Sequence, residues 1–316
     1  MVNFNRPILG RHRSRGSLTL SGTKLKMTMT TTVSKHSTGK DPVEALIKSI
    51  RIPPRPSLLT DLQQELALSE PDPGRIAKVI SGDVGISGAL LKLANSPFYG
   101  LRRKISSVEQ GIAFLGINQC AALATSVLAR KAIGMEGGAA LERFWDMSTR
   151  RAEAVAFLAG KTQVCRPDIA HTFGLFCDIG VPLLMNRFPD YTETYALAGS
   201  DTVNAFTDVE DKRHNTNHAA IGCLLARNWG LTEEVAFAIL LHHDYSVLEG
   251  SGTDDTVRSL VSLFLLSENV IQKLYGHALS PDWERSSAAA CRHLGLESDE
   301  TSDMFEELYE LFEKES

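Results

Sequence analysis

The residues best equipped for chemistry lie in HTFGLFCDIG, residues 171 to 180, where an apolar helical run ends at Cys177-Asp178 and turns at Gly180. A carboxylate next to an imidazole is a metal-binding pair. Here a thiol, Cys177, stands where the imidazole would be. Two rival chemistries fare worse. A cysteine nucleophile needs its thiolate, which the carboxylate beside it opposes. The Gly-rich SGDVGISG (81 to 88) follows no strand and lacks the lysine of a phosphate loop. The cysteines Cys120, Cys165, Cys177, Cys223 and Cys291 form no CxxC pair and are odd in number. That argues against a disulfide framework or a structural zinc site, and for a reducing cytoplasm.

The elements that must position Asp178 read as helices almost throughout. SLLTDLQQELAL puts Leu58, Leu59, Leu62 and Leu66 on one face. Asp72, Asn217, Thr232 and Ser280 stand as N-caps, and Ser106 with Glu109 has the spacing of a capping box. Gly116, Gly230 and Gly295 stand as stops. The last helix is expected to bury Met304, Phe305, Leu308 and Phe312. Trp145 and Trp229 read as core anchors, and His171 and His214 as surface or structural groups. No period-2 alternation bounded by hairpin turns occurs, so the expected class is all-α, with about a dozen helices.

The chain of 316 residues has a net charge of −5, with 33 basic and 38 acidic side chains. The charge is uneven. Residues 1–40 hold eight Lys/Arg and no acid, and are expected to form a disordered basic tail. The remaining acidic body is a poor surface for phosphate backbones, so no nucleic acid partner is expected. No apolar run nears the ~18 residues of a membrane span, so no membrane partner is expected either. One helical group runs to about residue 133, beginning at 41 with the chain that leads into it. GMEGGAA (134 to 140) is a joint, a second group covers 141–295, and an acidic helix fills 296–316.

LLKLANSPFYGLRRKISSVEQGIAFLG (90 to 116) is the most specific passage, with the turn Asn95, Ser96, Pro97, Tyr99 and Gly100 at its centre. With RFWDMS (143 to 148), GLFCDIG, NHAAIGCLLARNWGL and AILLHHDY in the same order, the chain resembles the HDOD family over about residues 50 to 248. This is a group of bacterial proteins derived from HD-domain phosphohydrolases. The resemblance implies an N-terminal helical subdomain against an HD-like helical bundle, and a signalling role without a demonstrated reaction. It also implies a ligand set. The first histidine position is Met147, the histidine of the His-Asp pair is Cys177, and Asp178, His218 and the pair His242-His243 remain. Glu268 lies near the last acid of related HD proteins. Val181 replaces the lysine that follows this motif in cyclic di-GMP phosphodiesterases, and no Gly-Tyr-Pro follows His243.

Met147, Cys177, Asp178, His218, His242 and His243 are therefore expected to form a remnant site with no catalytic residues and no cofactor. Asp178, His218, His242 and His243 would be the ligands if a single zinc or other transition ion bound. Replacing Met147 and Cys177 by histidine is expected to restore metal affinity. The expected function is a non-catalytic signal-transduction and interaction module, acting through an unidentified signalling protein or a small nucleotide-like ligand. The alternative is a divergent metal-dependent HD-type phosphohydrolase.

Overall fold

Local chemistry starts and stops the helices. In the computed structural model, residues 49–134, 138–250, 252–276 and 280–314 are described. The chain divides into Met1–Lys40 and Asp41–Ser316. The expected disordered tail of residues 1–40 lies outside the described residues. The first group comprises α1 (Ser57–Leu66), α2 (Pro73–Ser81), α3 (Val84–Ala94), a 3-10 turn (Pro97–Tyr99), α4 (Val108–Leu115) and α5 (Ile117–Ile133). The second begins with α6 (Gly138–Thr162), α7 (Pro167–Phe176), α8 (Gly180–Arg187), α9 (Tyr191–Ser200) and α10 (Phe206–His214). It continues through α11 (His218–Asn228), α12 (Glu233–Leu241), α13 (Asp255–Leu274), α14 (Pro281–Leu294) and α15 (Ser298–Glu313). The protein is all-α, with no strand among the described residues.

Asp72, Asn217, Thr232 and Ser280 accept backbone N–H groups as N-caps of α2, α11, α12 and α14. Gly295, at φ 68°, ends α14 in the left-handed region. One expected cap moves by a residue. Ser107, not Ser106, caps α4 by accepting from Gln110 N, and Ser106 N donates to Gln110 Oε1 at 2.8 Å. The glutamine side chain reaches back to the residue before the cap, and the helix starts one residue later than the Ser106–Glu109 spacing implies.

The two helical groups share one core. Leu59, Leu62, Ile76 and Leu90 belong to the same buried cluster as Phe173, Phe176, Trp229 and Leu263. Polar contacts tie them together as well. Trp229 Nε1 donates to Pro53 O at 3.0 Å, and Gln63 Nε2 donates to Trp229 O at 3.2 Å. Trp145 and Trp229 are buried anchors. His171 and His214 are both buried rather than on the surface, and His214 Nε2 meets Thr194 Oγ1 at 2.8 Å. α15 buries Met304, Leu308 and Phe312, while Phe305 is half-buried against Trp283. Pro167–Arg187 is long and apolar enough for a membrane span, with mean hydropathy 1.3, which corrects the sequence expectation. It is 78% buried, and the turn at Cys177–Ile179 breaks it into α7 and α8.

The Asn95–Gly100 turn is latched by one amide. Asn95 Nδ2 donates to Leu91 O at 2.8 Å and Ile105 O at 2.9 Å, and Asn95 Oδ1 accepts from Ile105 N at 2.8 Å. Gly100, at φ 59°, takes the left-handed conformation that releases the chain. Phe98 is half-buried, so its truncation costs less than a fully buried phenylalanine would. Asn95→Ala is the more damaging change here. It strands both backbone groups of Ile105, and a loss of about 2 kcal/mol is expected in urea denaturation. A loss under about 0.5 kcal/mol would show that water replaces the latch.

Candidate functional site

The apolar run of α7 stops at Phe176, and three residues, Cys177–Ile179, make a tight turn before α8. Asp178 sits at that corner and is buried. His218 opens α11 and His242 follows the last residue of α12. Three helix ends therefore aim one carboxylate and two imidazoles at one point. His218 Nε2 lies 3.3 Å from Asp178 Oδ1, His242 Nε2 lies 3.2 Å from the same oxygen, and the two nitrogens are 3.2 Å apart. With His243, ligand atoms of all four residues lie within 4.8 Å of one another.

Hydrogen-bond partners fix the protons. His242 donates Nδ1–H to Ile239 O at 2.7 Å, which leaves Nε2 as a lone pair. His218 donates Nδ1–H to Glu210 Oε2 at 2.7 Å. Glu210, fully buried, also accepts from Tyr191 Oη. Burial opposes the His218 charge, but Glu210 and Asp178 outweigh it and push the imidazole up to about 10. Its Nε2–H then serves Asp178 Oδ1 and the His242 lone pair. Burial holds His242 below its usual value, so one imidazolium and one neutral imidazole share the site.

The other face of Asp178 belongs to an arginine. Arg151 Nη1 lies 3.0 Å from Asp178 Oδ2, and Arg151 Nε lies 2.6 Å from Glu268 Oε1. Burial alone would raise the Asp178 carboxyl, but Arg151, His218 and His242 hold it well below the usual carboxylate range. Burial likewise works against the Arg151 charge, and Asp178 and Glu268 retain it.

Asp178, His218, His242 and His243 are thus brought together. His243 is half-buried, and its ring stacks on Phe206 with centroids 5.0 Å apart. The two remaining expected members play a different part. The Cys177 thiol is buried and donates to Gly174 O at 3.3 Å, and burial pushes it well above its usual value. In this arrangement the thiol fills a small buried space. Met147 is half-buried and packs against the core. Sequence reasoning missed Arg151 and Glu210. Arg151 stands four residues after Met147, one turn along the same helix face, which is a signal for its place in the site. Glu210 lies on an otherwise polar helix and carries no comparable signal.

The triangle of Asp178 Oδ1, His218 Nε2 and His242 Nε2 suits one metal ion. Tetrahedral zinc with its usual bond lengths separates neighbouring ligands by about 3.3 Å. An ion there would replace the His218 proton, and Glu210 would orient the imidazole from behind. A second ion does not fit. The free oxygen of Asp178 is held by the Arg151 guanidinium, and neither Cys177 nor Met147 supplies nitrogen. Val181, buried in α8, supplies no cation for a phosphate.

The fold and motifs have clear relatives. The HDOD domain family matches residues 52–245. A Treponema pallidum protein of uncharacterized role is 26% identical over 199 residues, which is 61% of this chain and 38% of that protein. The chain thus spans about two fifths of the length of that curated relative. A solved Shewanella amazonensis protein, named as a candidate phosphohydrolase, aligns at TM-score 0.66 with 21% identity, covering 85% of this chain and 95% of its own. A Marinobacter aquaeolei protein, named as a candidate signal-transduction protein, aligns at TM-score 0.66 with 19% identity, covering 86% of this chain and 63% of its own. At these identities the two structures speak to the fold alone. The family match covers more than half of the chain and contains every residue of the turn motif and of the Asp178 cluster. The chain belongs to the HDOD domain family.

Proposed function

We propose that this chain is a non-catalytic HDOD signal-transduction and interaction module, exerting its effect through a protein partner or a small ligand. One observation carries the reading. The Arg151 guanidinium takes the two carboxylates, Asp178 and Glu268, that a second catalytic cation would need. A two-metal clamp stabilises both the attacking and the leaving oxygen of a phosphoryl centre. A guanidinium fixed in the wall by two carboxylates offers neither a bound water nor an open coordination position. The arginine also limits how far the expected repair of the site, a gain of at least one ion, can go. Histidines at 147 and 177 would have to share space with a buried, ion-paired cation, so the double replacement alone is not expected to build a two-metal centre.

The second reading, a divergent metal-dependent HD-type phosphohydrolase, draws on the Asp178–His218–His242 triangle, which suits a single ion. The test is turnover of a phosphodiester and a phosphomonoester by the full chain, loaded in turn with zinc, manganese and iron(II). Hydrolysis indistinguishable from the metal blank is the expected result. Hydrolysis that Asp178→Asn abolishes would overturn the proposal in favour of the enzyme.

A further inference from the structure

The Asn95–Gly100 turn supplies no residue to the Asp178 centre, yet it forms one wall of an apolar groove of about 570 Å³. Phe98 and Tyr99 of the turn, Leu115 of α4, Ile117 of α5, Phe157 of α6 and Pro167 of α7 line this groove. All six are half-buried or exposed. Tyr99 Oη accepts from Gln119 Nε2 at 3.4 Å, which ties the turn to α5. Phe114, the neighbour of Leu115, adds a side chain that is 63% exposed. Contiguous apolar surface rimmed by polar groups marks a binding face.

The charge beside the groove keeps one sign after its ion pairs are counted. Lys161 in the lining is answered by Glu307 at 2.5 Å, and Asp168 by Arg166 at 2.8 Å. Arg102, Arg103 and Lys104, which follow the turn, are all exposed, and none forms an ion pair among the described residues. Glu109 is the one acid between Pro97 and Leu115, so that segment carries a net charge of +2. From residue 41 onward acids outnumber bases, so this run reverses the sign of the body around it. The Asn95 amide holds Ile105 at 2.8 and 2.9 Å and closes the loop at its base. Arg102 stands three residues after Tyr99, so their Cα atoms are at most about 11 Å apart. The unanswered cations thus stay beside the aromatic wall.

The occupant must match both halves of this face. Its apolar part must enter a groove walled by aromatic rings, and its charged part must be negative. No strand edge borders the groove, because no strand occurs among the described residues, so recognition runs through side chains and not through added backbone pairing. We propose that this groove docks an acidic segment of a partner protein, with apolar anchors against Phe98, Tyr99 and Phe157 and carboxylates against Arg102, Arg103 and Lys104. The inference rests on the interaction reading above and names the surface and the partner's chemistry. The family's turn motif then has a role of its own: it presents the aromatic wall and aims the basic loop that follows it.

The test selects random 16-residue peptides, displayed on phage, against the immobilised full chain, and titrates the selected peptides in solution. Enrichment of Asp and Glu together with Leu, Phe or Trp is expected, with affinity that falls as salt is raised, since exposed charges are screened. Arg102→Glu with Arg103→Glu should weaken binding by about tenfold or more. Both side chains are exposed, so the fold is not at stake. Ile117→Gln keeps the side chain's size and adds no charge, and it should weaken binding by about threefold through the groove alone. The proposal is overturned if no peptide is selected, if the selected peptides lack acids, or if either variant binds them as the wild type does. It is also overturned if polyuridylate or phosphatidylserine vesicles bind this face and the peptides do not, or if sedimentation shows a dimer that the same variants break. Failure of the interaction reading itself would appear separately, as metal-dependent hydrolysis in the turnover assay.

Discussion

Arg151→Met is expected to destabilise the protein by about 3–5 kcal/mol at neutral pH, the cost of removing one partner from a buried ion pair. The methionine fills most of the volume, so the loss is electrostatic. Asp178 and Glu268, which accept from the guanidinium at 3.0 and 2.6 Å, are left without it, and Asp178 keeps only His218 and His242 beside it. The loss should depend on pH in a defined direction. In the wild type the Asp178 carboxyl is held well below its usual value. Its stabilisation is therefore complete above about pH 4 and is lost as pH falls through the lowered value. Without the guanidinium, burial is opposed only by the histidines and the carboxyl protonates more readily. The gap between variant and wild type should narrow as pH is lowered toward about 4.

At the alkaline end the sign reverses. His218, pushed up to about 10, contributes fully below its unfolded value near 6.5 and loses that contribution as pH rises toward 10. Urea denaturation of both proteins across the pH range measures the two trends. A constant gap would mean that Arg151 acts through packing alone.

Gly180→Ala should be comparably severe, at about 3 kcal/mol or more. The first residue of α8 crosses the first turn of α11 so closely that an added Cβ would lie 2.1 Å from His218 O and 2.9 Å from His218 Cα. The clash is with backbone, which no side-chain rotation relieves, so either α8 or α11 must shift. Either shift separates Asp178 from His218, and both carry the site. A fall in the thermal midpoint together with loss of the raised His218 titration, followed by NMR, is expected. Gly88→Ala is the control, because nothing lies within 4 Å of its added Cβ. A Gly180→Ala protein as stable as that control would mean that the two helices do not touch at this point.

Much of this protein was legible without coordinates, because helices announce themselves locally. Asp72, Asn217, Thr232 and Ser280 cap where their side chains and the following apolar spacing place them, since a cap is a matter of three or four neighbouring residues. The all-α class and the family followed from such local patterns and from the order of the motifs. So did the four residues that converge at the site, through the resemblance. The function of Cys177 was not legible. A thiol in a ligand's place reads the same whether it faces the site or Gly174 O, and only the rotation of the turn decides.

The charges around Asp178 were settled by tertiary structure alone. Arg151 and Glu268 are 117 residues apart, and Glu210 reaches His218 from another helix. Periodicity says which face of a helix is buried, but a buried charge is tolerated or not according to which distant helix supplies its partner.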